Sequence, residues 1–351
     1  MGTEGEDGAV GDETRVCDES TEATPPGKGT PSRRKPLRAV LTALLTAALV
    51  LPLSAAAHPE IPAPPPAALP PLTTTTLGET YAANQANAAQ ASRMAAAHGD
   101  HERAAADRAM AAPSRHLLGF DGRGPGRATE VLGDLAHADR IAVLVPGSDT
   151  SLDTYARFRA TAKALYARLT HEAAGPAGAR TAVIAWLGYE TPGTISATVT
   201  TTTRAEQAAP RLRQFIHTLR SMTGPRANIA LLCHSYGSVV CGAAASRLPV
   251  DDIALLGSPG TGADSAAALR TRAHVWAARG TDDWVGEVPH VKADLFGTTV
   301  GFGTDPVSPE FGARVFAAGD GGHSDYFTPG SVSLTNLARI VLGDTSEVTR
   351  A

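Results

Sequence analysis

The sequence has few cysteines and no excess of basic residues. Its 351 residues include three cysteines (Cys17, Cys233 and Cys241), too few for a disulfide-dense scaffold, and no Cys/His cluster has zinc-finger spacing. Lysine plus arginine number 31 against 35 Asp plus Glu, so the sequence does not indicate the basic face of a nucleic-acid-binding protein. Because 43% of the residues are hydrophobic, the chain can bury a large core, which excludes a wholly disordered or fibrous protein.

The first 57 residues have the pattern of an export signal. An acidic, turn-rich stretch over 1–30 is predicted to be disordered, and the basic cluster 32–38 follows it. The uncharged apolar run 39–53 then leads into small residues, and it is shorter than the about 20 apolar residues of a membrane-spanning helix. We expect a cleaved signal or a signal anchor that ties the protein to the membrane or cell envelope. The arginine pair in 32–38 resembles a twin-arginine signal.

Composition divides the remaining chain into three parts. Residues 58–76 are rich in Pro, Ala and Thr and predict an extended linker. Residues 77–127 predict an Ala-rich helical segment that packs on the catalytic domain, with 113–127 as a Gly-rich connection. Residues 128–351 are predicted to form the catalytic domain itself.

Within this last part, short apolar strands alternate with amphipathic helices. The predicted strands are 141–145, 181–186, 228–232, 252–256, 274–278 and 314–317, and the predicted helices are 154–169, 206–222, 238–248 and 336–342. This alternation indicates an α/β fold with a mostly parallel, doubly wound sheet that is covered on both faces. Ligand sites in such sheets lie at the carboxyl ends of the strands.

The third predicted strand runs directly into Cys233-His-Ser-Tyr-Gly237 and then into a helix. This is the layout of a nucleophile elbow, in which Ser235 is the nucleophile at the tip of a sharp turn. The elbow normally has glycine two residues before the nucleophile, whereas Cys233 stands there. We interpret Cys233 and Cys241 as small core residues rather than as a redox pair.

A serine nucleophile needs a base and an acid, which follow it along the chain in this kind of elbow. His323 follows the last predicted strand in a Gly-rich loop and is the favoured base. His290 ranks second, and His274 is more typical of a strand residue. Asp282 and Asp283 compete as the acid, and Asp282 is preferred because an apolar residue follows it three positions later.

Two backbone N–H groups should stabilise the oxyanion of the reaction intermediate. One is expected from Tyr236, directly after the nucleophile. The other is expected from Ser148, in the turn that follows the first predicted strand. No cofactor and no metal ion is needed for this chemistry.

Six stretches carry a resemblance to a known family. They are Tyr81–Asn84, Arg93–Asp100, Leu144–Gly147, Cys233–Gly237, Thr304–Gly312 and Gly322–Tyr326. With the strands, elbow, acid and histidine, residues 77–343 resemble the α/β-hydrolase superfamily, and more narrowly an actinobacterial α/β-hydrolase branch of unknown function (DUF1023). The resemblance implies an α/β-hydrolase fold and hydrolysis through an acyl-enzyme, without a cofactor.

Three functions are compatible with these features. The favoured one is an exported serine hydrolase, like a carboxylic ester hydrolase, acting on a small-molecule or lipid-like acyl ester. An acyltransferase that uses a cell-envelope hydroxyl as acceptor would need the same residues. A non-catalytic envelope-binding module with a relic elbow is the third, because Cys233 departs from the usual elbow pattern.

Overall fold

An eight-stranded sheet forms the centre of the protein. The structure, a computed structural model, describes residues 61–174, 178–194, 201–287, 292–295 and 298–351. The predicted export signal over 1–57 lies outside the described residues. The strand order is β1-β2-β4-β3-β5-β6-β7-β10, where β1 pairs with β2 and β2 with β4 in antiparallel fashion and all other pairs are parallel.

The strands of this sheet and of a separate antiparallel hairpin have the following bounds. They are β1 (His116–Asp121), β2 (Arg127–Gly133), β3 (Arg140–Val145), β4 (Thr181–Leu187), β5 (Asn228–His234), β6 (Asp252–Leu256), β7 (His274–Ala278), β8 (Lys292–Leu295), β9 (Thr298–Gly301) and β10 (Arg314–Val315). Strands β8 and β9 form the hairpin.

The helices cover both faces of the sheet. They are α1 (Leu77–His98), α2 (His101–Met110), α3 (Tyr155–Glu172), α4 (Thr203–Thr223), α5 (Gly237–Ala244) and α6 (Val332–Leu342). Side chains of α4 and α5 belong to the apolar core on one face, and those of α3 and α6 belong to the core on the other. This confirms the predicted mostly parallel, doubly wound sheet.

The central strands are apolar on both faces because both faces are covered. In β3, the side chains from Ile141 to Val145 are at most 2% exposed, and β5 and β6 are buried in the same way. These strands therefore consist of continuous runs of Val, Ile, Leu and Ala. They lack the alternation of apolar and polar residues seen in a sheet with one solvent-exposed face. The core fixes the register of these strands, and with it the positions of the loops at their carboxyl ends.

The prediction of a Gly-rich connection over 113–127 was wrong. Strand β1 and the start of β2 lie there and add an antiparallel edge to the sheet. A buried carboxylate, Glu130, lies on β2 and pairs with Arg115 and Arg159. Charged residues interrupt the apolar pattern by which a buried strand is predicted from sequence. They are tolerated here because they pair with one another instead of facing water.

Helix α1 packs against β1, and α2 packs against α1. Asn84 of α1 donates a hydrogen bond to the carbonyl of Leu117 in β1. Arg103 of α2 is 2% exposed, and it pairs with Asp153 and donates to the carbonyls of Gly122 and Gly124. Polar anchors thus hold a segment that has few large apolar side chains. The division into a helical segment over 77–127 and a domain over 128–351 remains a prediction.

Among the described residues, no helix combines the length and the apolar character needed to cross a bilayer. The apolar run over 39–53 is not among those residues.

Candidate active site

The tip of the elbow between β5 and α5 has a strained backbone. Ser235 has a φ of +54°, a left-handed value that is uncommon outside glycine and frequent at functional turns. A Cβ on Gly237 would lie 2.5 Å from the carbonyl oxygen of Val145, so this position needs glycine. The turn therefore projects the Ser235 side chain above the carboxyl edge of the sheet, as the nucleophile-elbow prediction requires.

Ser235, His323 and Asp283 form one hydrogen-bonded chain. His323 Nε2 lies 2.9 Å from Ser235 Oγ, and His323 Nδ1 lies 2.9 Å from Asp283 Oδ1. An ionised carboxylate can only accept a hydrogen bond, so the network assigns the proton to Nδ1 and leaves Nε2 free to accept from the serine hydroxyl. The structure thus brings together the predicted nucleophile and base, although 88 residues separate them.

The preference for Asp282 over Asp283 is corrected by this geometry. The Asp283 side chain is fully buried and contacts His323, whereas Asp282 is exposed. A turn after β7 sets this choice, because the N–H of Asp283 donates to the carbonyl of Gly280 and its Oδ1 accepts the N–H of Val285. The local turn therefore directs the second aspartate inward and leaves the first in solvent.

Hydrogen bonds keep the buried Asp283 carboxyl ionised. Burial alone would raise its pKa, but hydrogen bonds from His323, Tyr326 and the N–H of Val285 outweigh burial and lower the pKa below its ordinary value. The Tyr326 hydroxyl donates to Asp283 Oδ2 at 2.5 Å and accepts the N–H of Gly280. Both carboxylate oxygens are thus occupied, which fixes the direction in which Asp283 faces the imidazole.

His234, the residue before the nucleophile, is hydrogen-bonded to the loop that carries His323. Burial and the neighbouring His323 lower the pKa of His234 to about 4, so its imidazole is neutral at pH 7. Its Nε2 lies 2.6 Å from the carbonyl oxygen of His323, and that nitrogen must be the donor. The ring of Trp284 also contacts His323, with ring centroids 4.8 Å apart. The His323 imidazole therefore packs against two rings, those of His234 and Trp284.

The turn after β3 lies against the nucleophile. A Cβ on Gly147 would lie 3.1 Å from Ser235 Oγ, which shows how closely this backbone approaches the nucleophile. Tyr189 donates to the carbonyl of Pro146 at 2.6 Å and fixes the turn. Within the described part of the chain, the N–H groups of Ser148 and Tyr236 have no hydrogen-bond partner. Both predicted oxyanion donors are therefore unpaired, and their role in binding the oxyanion remains a prediction.

Of the two alternative histidines, the structure describes only His274. His274 begins β7 and lies 3.4 Å from Asp252 Oδ1, as expected for a strand residue. His290 lies outside the described residues. Among the described residues, no group of three or more His, Cys, Asp and Glu side chains could hold a metal ion.

Cys233 and Cys241 are core residues, as interpreted from the sequence, but a disulfide bond joins them, which that interpretation did not include. Cys233 lies near the end of β5, within the elbow, and Cys241 lies on α5, the helix that follows Ser235. Both are fully buried. The disulfide thus bridges the strand and the helix on the two sides of the nucleophile, at the position where the elbow lacks its usual glycine.

We expect the double variant Cys233→Ala/Cys241→Ala to lose about 2 to 3 kcal/mol of unfolding free energy, because the bond closes a short loop and restricts the unfolded chain. Urea unfolding without reductant would measure the loss. Reductant should lower the urea midpoint of the wild type when added to the unfolded protein and leave the double variant unchanged. Equal midpoints for the two proteins without reductant would contradict the prediction.

A cavity of about 620 Å³ opens above the site. Ser235 and His323 lie in its lining, and its apolar wall includes Phe158, Trp284 and Phe302. Trp284 and Phe302 belong to the long segment of chain between Asp283 and His323, so this segment borders the cavity. An apolar cavity beside a serine and a histidine can hold an acyl chain next to the nucleophile.

Comparison with known proteins agrees with this fold. The sequence pattern of a family described as alpha/beta hydrolase matches residues 121–293. That region includes the elbow and the acid loop, and the doubly wound sheet with its Ser-Asp-His order is the arrangement expected of such proteins. The chain belongs to the α/β-hydrolase superfamily. The narrower DUF1023 resemblance remains a prediction.

The curated relatives of this α/β hydrolase are uncharacterized. One from Mycobacterium tuberculosis (strain ATCC 25618 / H37Rv) is 33% identical over 247 residues, covering 63% of this chain and 37% of the relative. Another from Mycobacterium bovis is 32% identical over 168 residues, covering 45% of this chain and 63% of the relative. The chain thus spans between about a third and two thirds of the length of these relatives.

Solved structures of low sequence identity also resemble the α/β hydrolase. Esterase PE8 is 18% identical, with a TM-score of 0.39, and the match covers 60% of this chain and 95% of that one. A Xanthomonas campestris protein, described as an a/b serine hydrolase without lid, is 14% identical, with a TM-score of 0.41 and coverage of 66% and 95%.

Three residues of the α/β-hydrolase site escaped the sequence analysis. Gly257 directly follows β6, and a Cβ there would lie 2.5 Å from Asp283 Oδ2 and 3.0 Å from His323 Nδ1. Tyr326 and His234 were quoted only as parts of matching stretches. A signal existed for each, because all three follow or end strands at the carboxyl edge that the sequence had already indicated.

Proposed function

We propose that this hydrolase is an exported serine hydrolase that cleaves an ester or a related acyl bond through an acyl-enzyme on Ser235. The observation that carries the proposal is the hydrogen-bonded order Ser235 Oγ, His323 Nε2 and Nδ1, Asp283 Oδ1, set on an elbow with positive φ. A chance cluster would not require the strained serine and the inward carboxylate together.

The reaction has two halves that use the same residues. Ser235 Oγ attacks the acyl carbon while its proton passes to His323 Nε2, and the oxyanion accepts hydrogen bonds from the N–H groups of Tyr236 and Ser148. The carbon–oxygen bond to the alcohol then breaks, and His323 returns the proton to the leaving oxygen. Water repeats the sequence and releases the acid. Asp283 holds the imidazole and stabilises its positive charge throughout.

Export is supported by two independent features. Residues 1–57 have a basic cluster, an apolar run and small residues in the order of a signal. The disulfide between Cys233 and Cys241 is typical of proteins that fold in an oxidising compartment. Both features favour a location outside the cytoplasm, either secreted or anchored.

A fluorophosphonate probe tests the serine mechanism directly. We expect wild-type protein at pH 7 to 8 to gain the mass of one adduct, located on the peptide that contains Ser235, and to hydrolyse p-nitrophenyl esters. Ser235→Ala should take no label. Ser324→Ala is the matched control, because Ser324 lines the same cavity but is given no role, and it should label normally.

Two outcomes would change the proposal. Folded wild-type protein that neither labels nor hydrolyses esters would favour the relic binding module. Labelling with formation of a new ester in the presence of an added alcohol, in excess of the free acid, would favour the acyltransferase.

A further inference from the structure

One wall of the cavity is a face of helix α3. Thr154, Arg157, Phe158 and Thr161 all line the cavity, and their spacing of three and four residues places them on the same side of this helix and the turn before it. Phe158 is buried and continues the apolar wall, whereas Arg157 is exposed to solvent. A guanidinium group thus belongs to the lining that also contains Ser235.

Arg157 is the one arginine or lysine in this lining, and the described part of the chain gives its guanidinium no partner. Nearby carboxylates are committed elsewhere: Asp153 pairs with Arg103, and Asp149 accepts hydrogen bonds from the N–H and hydroxyl of Thr194. Among the described residues, no hydrogen bond, ion pair or ring contact involves the Arg157 side chain. Other exposed arginines, such as Arg226, are also unpaired in the described part of the chain, but Arg157 differs from them in lining the cavity that contains Ser235.

We propose that Arg157 binds an anionic group of the substrate, so that the natural ester carries a carboxylate or phosphate in addition to its scissile acyl bond. The inference rests on the proposed function, because it places the ester bond at Ser235. The guanidinium presents a planar fork of donors that matches the two oxygens of such a group. The apolar cavity would hold the carbon chain between the two polar ends.

The proposed contact is with a group of the substrate other than the scissile bond, and this determines the kinetic effect. An interaction made equally in the bound substrate and in the transition state lowers KM and leaves kcat nearly unchanged. The cavity mouth is open to water, which weakens the attraction, so a preference of about five- to tenfold in kcat/KM is expected for an anionic ester. Added salt should reduce this preference.

Two pairs of esters test the inference and locate the charge. The acyl pair is the 4-nitrophenyl monoester of adipic acid and that of adipamic acid, which differ in a terminal carboxylate or amide. The alcohol pair is 4-carboxyphenyl butyrate and its N-methylamide. The proteins are wild type, Arg157→Gln, Arg157→Lys and the control Arg226→Gln, an exposed arginine just before β5 at the opposite edge of the sheet.

Wild type and Arg226→Gln should prefer the anionic member of at least one pair through KM, and the responding pair shows whether the charge lies on the acyl or the alcohol part. Arg157→Gln should bring the anionic-to-neutral ratio to about one, and Arg157→Lys should restore part of it. Hydrolysis of neutral esters without a preference, or a preference that Arg157→Gln leaves intact, would overturn the inference alone. Absence of turnover on all four esters would overturn the proposed function with it.

Discussion

Replacing Asp283 by asparagine is expected to lower kcat/KM for an ester by about 10³- to 10⁴-fold, whereas Asp282→Asn should stay within about twofold of the wild type. Steady-state hydrolysis of a p-nitrophenyl ester at pH 7.5 measures both. The two variants differ by one position and introduce the same side chain. Asp282→Asn therefore controls for the chemical change itself, at an exposed site.

The loss follows from the proton positions in the hydrogen-bonded chain. An asparagine amide at position 283 can present N–H to His323, and the imidazole would then carry its proton on Nε2, where it cannot accept from Ser235. The variant would also lose the negative charge that stabilises the imidazolium as it forms. Tyr326 would still find an acceptor in the amide oxygen, so the fold should be retained, and thermal unfolding checks this.

A different order of effects would identify a different acid. If Asp282→Asn lost most of the turnover and Asp283→Asn little, the loop that carries both aspartates would have to change conformation when substrate binds, so that Asp282 contacts His323. If both lost it equally, neither carboxylate alone could orient His323. Either result would contradict the proposed role of Asp283.

The sequence located the elbow and the base because their signals are local. A run of apolar residues that ends in a turn and a helix predicts the position of Ser235, and glycines around His323 mark a loop beyond the last strand. Parallel strands then bring both ends to one edge, whatever the distance along the chain. Such features depend on patterns of five to ten residues, which a single sequence contains.

The acid could not be chosen from the sequence, since Asp282 and Asp283 are adjacent. Their orientation depends on the turn formed by Gly280 and Val285, where backbone hydrogen bonds direct one side chain inward. The rule that favoured Asp282 used the apolar residue at 285 as an anchor. Val285 is indeed buried, but its N–H binds the neighbouring carboxylate. Spacing alone does not record which of two consecutive residues a turn presents.

The hairpin β1–β2 and the disulfide were missed for another reason. Both depend on contacts between residues that belong to different secondary-structure elements. Strand β2 contains Glu130, whose burial is tolerated only because Arg115 and Arg159 approach from other elements. Cys241 reaches Cys233 only after α5 folds back along β5. These contacts are tertiary, and a local pattern cannot show them.

Gly257→Ala is expected to lower kcat by about 10²-fold, since a misplacement of about 1 Å in a catalytic group can have that effect. The added methyl would lie 2.5 Å from Asp283 Oδ2, closer than real contacts allow, and 3.0 Å from His323 Nδ1, tighter than most real contacts. The acid and the imidazole would have to move apart or shift together. Turnover and the rate of fluorophosphonate labelling should therefore fall together.

Gly312→Ala is the matched control for the backbone. Gly257 has a φ of +51° and Gly312 one of +79°, so alanine costs about 1 to 2 kcal/mol of stability at either position. No atom lies within 4 Å of the Cβ that Gly312→Ala would add, so this variant should lose stability and keep its turnover. Equal turnover of the two variants would mean that Gly257 serves the fold alone, and that the close approach of β6 to Asp283 and His323 has no part in placing them.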